Sequence, residues 1–127
     1  LPAAQEYGLG VIPWSPLQGG LLGGVIKKQA DTARRHEGRA ADGIDKYRPQ
    51  LEKYDAFADE LGVEPAQLGL AWLLHQPAVT APITGPRTMA QLDGILGTLD
   101  IKLDADALKR LDDIFPGYKT APEDYAW

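Results

Sequence analysis

The sequence predicts an α/β fold of the parallel kind, and within that class a portion of a (β/α)8 TIM barrel. Three observations carry this expectation. Two short apolar runs, residues 9–14 and 78–84, alternate with amphipathic helical segments, the order of parallel β/α units. The first run is apolar on both faces, as a strand buried between layers is. Two strands can neither close a sheet nor hide both its faces, and a complete barrel takes ~250 residues, about twice the 127 present.

In chain order, residues 1–8 read as a helix with Pro2 in its first turn and Gly8 at its C-terminal cap. The chain opens on Leu1 inside this element, with Met89 its only methionine, which suggests the rear part of a longer polypeptide. Leu9-Gly10-Val11-Ile12-Pro13-Trp14 is the first strand, closed by Ser15-Pro16. A glycine-rich stretch, residues 18–24, follows, open to conformations and close approaches that side chains forbid. Residues 27–48 carry seven basic and four acidic residues and no sustained apolar period. They read as a long, polar, mobile excursion with a surplus of three positive charges, and the rest of the chain carries a surplus of eight negative ones.

Four helical segments complete the pattern. Leu51, Tyr54, Phe57, Ala58 and Leu61 form an amphipathic stripe that ends at Gly62. Pro65 suits a first turn, and the run from Leu68 to His75 is apolar on nearly all sides until Pro77. The second strand, residues 78–84, requires that Pro82 stand where no ladder N–H is needed. Thr88 and Gln91 have capping-box spacing before a helix expected to bury Leu92, Ile95, Leu96 and Leu99. Asp104 caps the last helix, whose stripe is Leu108, Leu111, Ile114 and Phe115. Residues 116–127 form an irregular aromatic tail.

Composition excludes several classes. With no cysteine there is neither a disulfide framework nor a thiolate metal site, and no metal site is expected. The apolar runs fall short of the ~20 residues a membrane helix needs. The net charge of −5 argues against a nucleic-acid-binding face. With no leader-like segment at its start, the expectation is a cytoplasmic protein.

Two loops could bind an anionic, planar ligand. Residues 14–20 leave a strand end with a flat indole, a hydroxyl and backbone N–H groups. Residues 84–91 lead into a capped helix N-terminus with Arg87 beside it, a guanidinium suited to phosphate. Either could be bland: Trp14 a core residue beside glycines that merely turn the chain, Arg87 a surface side chain by an ordinary cap. Together, in consecutive β/α units, they match the recurrent phosphate site after the last two barrel strands.

The run Gly10-Val11-Ile12-Pro13-Trp14-Ser15-Pro16-Leu17-Gln18-Gly19-Gly20-Leu21-Leu22 resembles the seventh-strand segment of the aldo-keto reductases, near the group of the potassium-channel β-subunits. Residues 82–92 resemble the eighth-strand segment, and residues 58–63, 71–74 and 122–127 also fit. The resemblance covers essentially the whole chain. It implies the C-terminal portion of a barrel: the last two strands with their helices and a C-terminal tail.

It further implies an NADP(H)-binding part of an oxidoreductase that passes hydride between NADPH and an aldehyde or ketone. Trp14 would stack on the nicotinamide, and Ser15, Leu17 and Gly20 would lie along the pyrophosphate. Gly85, Arg87 and Gln91 would hold the 2′-phosphate end. Arg39 would belong to a basic cofactor-covering loop over residues 25–48. Trp14, Tyr125 and Trp127 would face the substrate. Two departures are visible: Gly23-Gly24-Val25-Ile26 stands where a lysine motif is usual, leaving Lys27 and Lys28 to replace it, and Gly94-Ile95 replaces an adenine-contacting pair. The family's Asp, Tyr, Lys and His catalytic group belongs to a front half. Neither His36, His75 nor the tyrosines at 7, 47 and 54 sit at a strand end, so no catalytic residue is assigned, and this chain alone is expected to be inactive. Expected partners are a small carbonyl compound and the N-terminal half of the same barrel, with a homo-oligomer allowed for. Two other readings stand beside this one: a regulatory NADP(H)-binding module of channel β-subunit type, and a small helical protein- or DNA-binding domain, against which the acidic charge counts.

Overall fold

The computed structural model describes the backbone of residues 1–31 and 39–117, and the side chains of residues 1–28 and 43–117. Six α-helices run through them: α1 (Pro2–Glu6), α2 (Val25–Asp31), α3 (Arg39–Leu61), α4 (Pro65–Leu74), α5 (Met89–Gly97) and α6 (Ala105–Ile114), with single 3-10 turns at Gln18–Gly20 and Thr98–Asp100.

The helix ends follow the local chemistry of the sequence. α1 begins at Pro2, and α3 and α1 both close in the same way. Gly8 and Gly62 take φ of +63° and +68°. Beyond them Leu9 N–H bonds Ala4 C=O at 2.8 Å and Val63 N–H bonds Ala58 C=O at 3.0 Å, the six-to-one bond of a Schellman cap. Glu64 and Gln67 form a reciprocal capping box on α4. Asp104 Oδ1 accepts the Ala107 N–H of α6 at 2.8 Å.

Packing joins α3, α4 and α6 into the main core: Tyr54, Phe57 and Ala58 against Leu68 and Ala71 and against Leu103, Ala107, Leu111 and Ile114. The Tyr54 hydroxyl, buried, donates to the Pro65 carbonyl, and its ring meets Phe115 edge-on at 5.9 Å. Arg110 ties α6 to α3 from outside, with two bonds to Glu60 at 2.5 and 2.7 Å and its guanidinium 4.2 Å from the Phe57 ring centre. His75 joins α4 to the approach of α6: Nδ1 lies 2.7 Å from the Ala71 carbonyl, and Nε2 accepts the Leu103 N–H at 3.1 Å. That pairing fixes the neutral tautomer protonated at Nδ1, and makes His75 the helix-end partner its position suggests.

A second, smaller core corrects the sequence reading of residues 27–48. Where a polar excursion was expected, α2 and the first half of α3 are helical, and Leu21, Val25, Ile44 and Leu51 bury one another. Ile44, Tyr47 and Leu51 continue the helical stripe of Tyr54 and Ala58 backwards through Pro49. The proline deletes one helical bond, but its cost is met by burial on either side of it.

The two predicted strands form no regular ladder among the described residues. Residues 11 and 79 make one parallel bridge, with Thr80 N–H to Val11 C=O and Ile83 N–H to Pro13 C=O, each 2.8 Å. The physical reason is the pair of prolines. A ladder continued from this bridge would need N–H donors at residues 13 and 82, and both are proline. Ile83 takes over the second bond one residue late, so the register slips and pairing stops. Pro82 therefore stands where a donor is needed, contrary to the sequence expectation.

α5 departs too. It has no fully buried residue, and Leu96 and Leu99 are 54% and 63% exposed. Leu61, at the end of the α3 stripe, is also exposed. The expected apolar face is only partly covered: Leu92 and Ile95 are half-buried, while Leu96 and Leu99 stand uncovered among the described residues.

Candidate functional site

The parallel bridge decides the geometry of the site. Because Ile83 bonds Pro13, the chain leaves the paired segments side by side: Trp14 to Gly20 from one, Thr84 to Gln91 from the other. Both candidate loops thus emerge from the same end of the pair, as parallel strands dictate.

Trp14 is 77% exposed, so it is not a core residue of this chain. Ser15 and Gln18 both take positive φ, 51° and 54°, without being glycine. Such strain concentrates where a loop is held for a purpose. The loop holds itself tightly: Ser15 Oγ accepts Gly19 N–H at 3.2 Å, and the N–H groups of Gln18, Gly20, Leu21, Leu22 and Gly23 bond carbonyls within residues 15–20. The backbone donors from 18 to 23 that the sequence suggested for a phosphate are therefore occupied by the loop. What it presents outward is the indole, together with open space at Gly19 and Gly20, where an added Cβ would meet nothing within 4 Å.

In the second loop Thr88 caps α5, accepting Gln91 N–H at 3.2 Å. The return bond differs from a capping box: Gln91 Oε1 accepts the N–H of Arg87 rather than that of Thr88, at 2.7 Å. Gln91 thus fixes the backbone of Arg87, while Gly85, Arg87 and Gln91 are all exposed.

α3 supplies the opposite wall. Trp14, Ser15, Gln18, Gly19 and Leu21 share a cavity of about 540 Å³ with Gly43 and Tyr47. An apolar cavity of about 430 Å³ lies behind it, lined by Leu22, Tyr54, Trp72 and Phe115 among others, and Gln18, Leu21 and Tyr47 border both. Gly43 and Tyr47 were missed in the sequence, although the Ile44–Tyr47–Leu51 spacing carried the signal. Leu17, half-buried, faces inward and holds the loop through its carbonyl. Lys28 Nζ donates to the Gly23 carbonyl at 2.5 Å, and Lys27 pairs with Asp59. Arg39 opens α3, and its side chain lies outside the described residues, as do His36, Tyr125 and Trp127. Tyr7 ends α1, and Tyr47 and Tyr54 sit on α3, so none of these three described tyrosines stands at a strand end. Among the described residues no cluster of His, Asp or Glu could hold a metal, and no helix is long and apolar enough to cross a membrane.

Comparison with known proteins defines the class. The profile of the Aldo/keto reductase family matches residues 1–115. An uncharacterized oxidoreductase of Bacillus subtilis, YrpG, is 50% identical over 129 residues, covering 100% of this chain and 39% of its own length. Probable aldo-keto reductase 1 of Glycine max is 32% identical over 120 residues, 91% of this chain and 35% of its own. The chain belongs to the aldo-keto reductase family, whose fold is a (β/α)8 barrel, and it spans between a third and two fifths of the length of these relatives.

Proposed function

We propose that this chain is the C-terminal, cofactor-holding portion of an NADPH-dependent reductase of aldehydes or ketones. One observation carries the reading: the parallel pairing of residues 11–13 with 79–83 sets an exposed indole and an exposed guanidinium on neighbouring loops at one edge. The residues fit a dinucleotide phosphate. Trp14 offers a flat face for the nicotinamide, Ser15, Leu17 and Gly20 shape a rigid loop with open space above it for the pyrophosphate, and Arg87 offers a bidentate partner for the 2′-phosphate. Gly85 keeps the turn before Arg87 free of side-chain bulk, and Gln91 steadies its backbone.

When bound, the reduced nicotinamide supplies the hydride. The part of these residues would be to hold and orient: Trp14 would limit the tilt of the ring and Arg87 would anchor the far end through the 2′-phosphate, which would lower the entropy lost on reaching the reactive geometry. No proton donor to the carbonyl oxygen is assigned here. The catalytic Tyr, Lys, Asp and His would come from a front half of the barrel. Its docking surface would be the uncovered apolar residues Leu9, Ile12, Ile83, Leu96 and Leu99. Arg39 and the basic residues near it would close over the cofactor, with Trp14, Tyr125 and Trp127 toward the carbonyl substrate. A cytoplasmic enzyme, alone or as a homo-oligomer, fits this reading. The relatives' names favour a working oxidoreductase over a regulatory module.

The test is a titration of the full-length protein with NADPH and NADH, followed by quenching of tryptophan fluorescence. Arg87→Ala is expected to weaken NADPH by roughly 10–100-fold, the scale of a charge-assisted bidentate contact, and NADH hardly at all. Equal losses for the two would remove Arg87 from the 2′-phosphate.

A further inference from the structure

Gly69 stands in the interior of α4, where glycine is the poorest helix former short of proline. It is buried, between neighbours Leu68 and Leu70 that are buried too. A glycine kept in such a place calls for a reason, and its surroundings supply one. A Cβ added at Gly69 would stand 2.9 Å from the Tyr54 hydroxyl oxygen, 3.3 Å from Leu17 Cδ2 and 3.8 Å from Leu22 Cδ1. Two elements therefore close on one bare spot of α4: α3 through Tyr54, and the glycine loop through Leu17 and Leu22.

Of the two, Tyr54 is held the more firmly. Its side chain is 2% exposed, its ring lies edge-on to Phe115, and its hydroxyl donates to the Pro65 carbonyl in the first turn of α4. Leu17 is only half-buried, and is the side that can yield. It is also where the loop hangs together, because its carbonyl accepts the N–H groups of Gly20 at 3.0 Å and Leu22 at 3.2 Å. Whatever moves Leu17 moves the backbone of Gly20 and Leu22 with it.

We propose that Gly69 is a positioning residue of the cofactor site, the socket on α4 in which Leu17 and Leu22 seat the glycine loop against Tyr54. This rests on the cofactor reading given above. The socket trades helix propensity for placement: alanine would favour the helix itself, but its methyl would overpack the joint. Tyr54→Phe keeps the ring and removes the oxygen that stands nearest to that methyl, so it should make room for it.

In the full-length protein, Gly69→Ala is expected to raise KM for NADPH about fivefold, with kcat within about twofold. Amide exchange of residues 20–23, measured without any cofactor, should quicken by about fivefold as well. Tyr54→Phe alone should leave both readouts within about twofold, and the double variant Gly69→Ala/Tyr54→Phe should return to that level. Leu68→Val, a core loss on the same helix, should lower Tm and leave KM and exchange within about twofold. Unchanged exchange or KM in Gly69→Ala would overturn the proposal, as would a double variant no better than Gly69→Ala, or an equal rise in KM in Leu68→Val. If Gly69→Ala does not fold, Leu17→Ala unseats the loop from the other side, and unchanged exchange of residues 20–23 there would overturn the proposal too. Failure of the wild type to bind NADPH strikes the cofactor reading, while the exchange measurement still decides whether Gly69 seats the loop.

Discussion

At the scale of single residues, the side chains that matter are those whose partners can be counted. His75 gives the Leu103 N–H its acceptor. His75→Leu removes that acceptor in a half-buried place and should destabilise the full-length protein by about 1–3 kcal/mol in denaturant titration, the penalty of an orphaned donor. Asp55 and Glu60 titrate in opposite senses. Burial pushes the Asp55 carboxyl above the usual carboxylate range, so the stability it contributes is present below about pH 4, where the unfolded carboxyl is also protonated, and is lost as pH rises through its folded value. Hydrogen bonds from Arg110 hold Glu60 below that range, so its contribution is present at neutral pH and lost on acidification. The difference in Tm between Asp55→Asn and wild type should therefore grow from pH 4 to pH 7; a constant difference would show that Asp55 is not penalised by burial. Trp14, Arg87 and Gln91 were singled out in the sequence as candidates because an indole, a guanidinium and a capping amide carry their chemistry in their own side chains. Asp55 was not, because a carboxylate among the charged residues of α3 looks solvated until α2 is laid over it.

At the scale of elements, the helix signals held where they were local. Thr88, Asp104, Gly8 and Gly62 all perform the capping roles that their types imply, since each acts on backbone within a few residues. The two N-caps should nonetheless behave differently when removed. Asp104→Ala unties a helix that packs into the main core, and should cost about 1 kcal/mol of stability with little effect on cofactor affinity. Thr88→Ala loosens an exposed helix whose Gln91 steadies Arg87, and should weaken NADPH severalfold for a smaller stability loss. Denaturation and NADPH titration on both variants separate the two, and the same pattern of loss in each would refute the distinction. The strands show the opposite lesson. Their apolar pattern was correct as pattern, but Pro13 and Pro82 interrupt the ladder from both sides, and a ladder is a property of two segments read together. The long α3 was half hidden for a similar reason: Pro49 and a dense set of charges mask a stripe that becomes visible only when Leu21 and Val25 arrive to bury Ile44 and Leu51.

At the scale of the whole molecule, the described residues build a sound three-helix core on one side and leave apolar side chains uncovered on the other. Leu9, Ile12, Trp14, Ile83, Leu96 and Leu99 are each more than half exposed, and the paired segments offer unpaired edges. Exposed edges and apolar patches associate. The 127-residue chain produced by itself should therefore self-associate or precipitate, as followed by light scattering during gel filtration. A monodisperse monomer with a cooperative thermal transition would contradict this.

The sequence by itself determined α1, α4, α5, α6 and the second half of α3 with most of their caps, two candidate loops and the family to which the chain belongs, because each rests on local spacing or on side-chain type. The tertiary structure decided the rest. The slip between Pro13 and Ile83 sets the two loops on one edge, the glycine loop spends its own N–H groups on holding its shape, α3 brings Tyr47 opposite Trp14, and α2 comes to lie on Asp55. Those are contacts between distant segments, and their energies depend on burial and on partners that no local pattern contains.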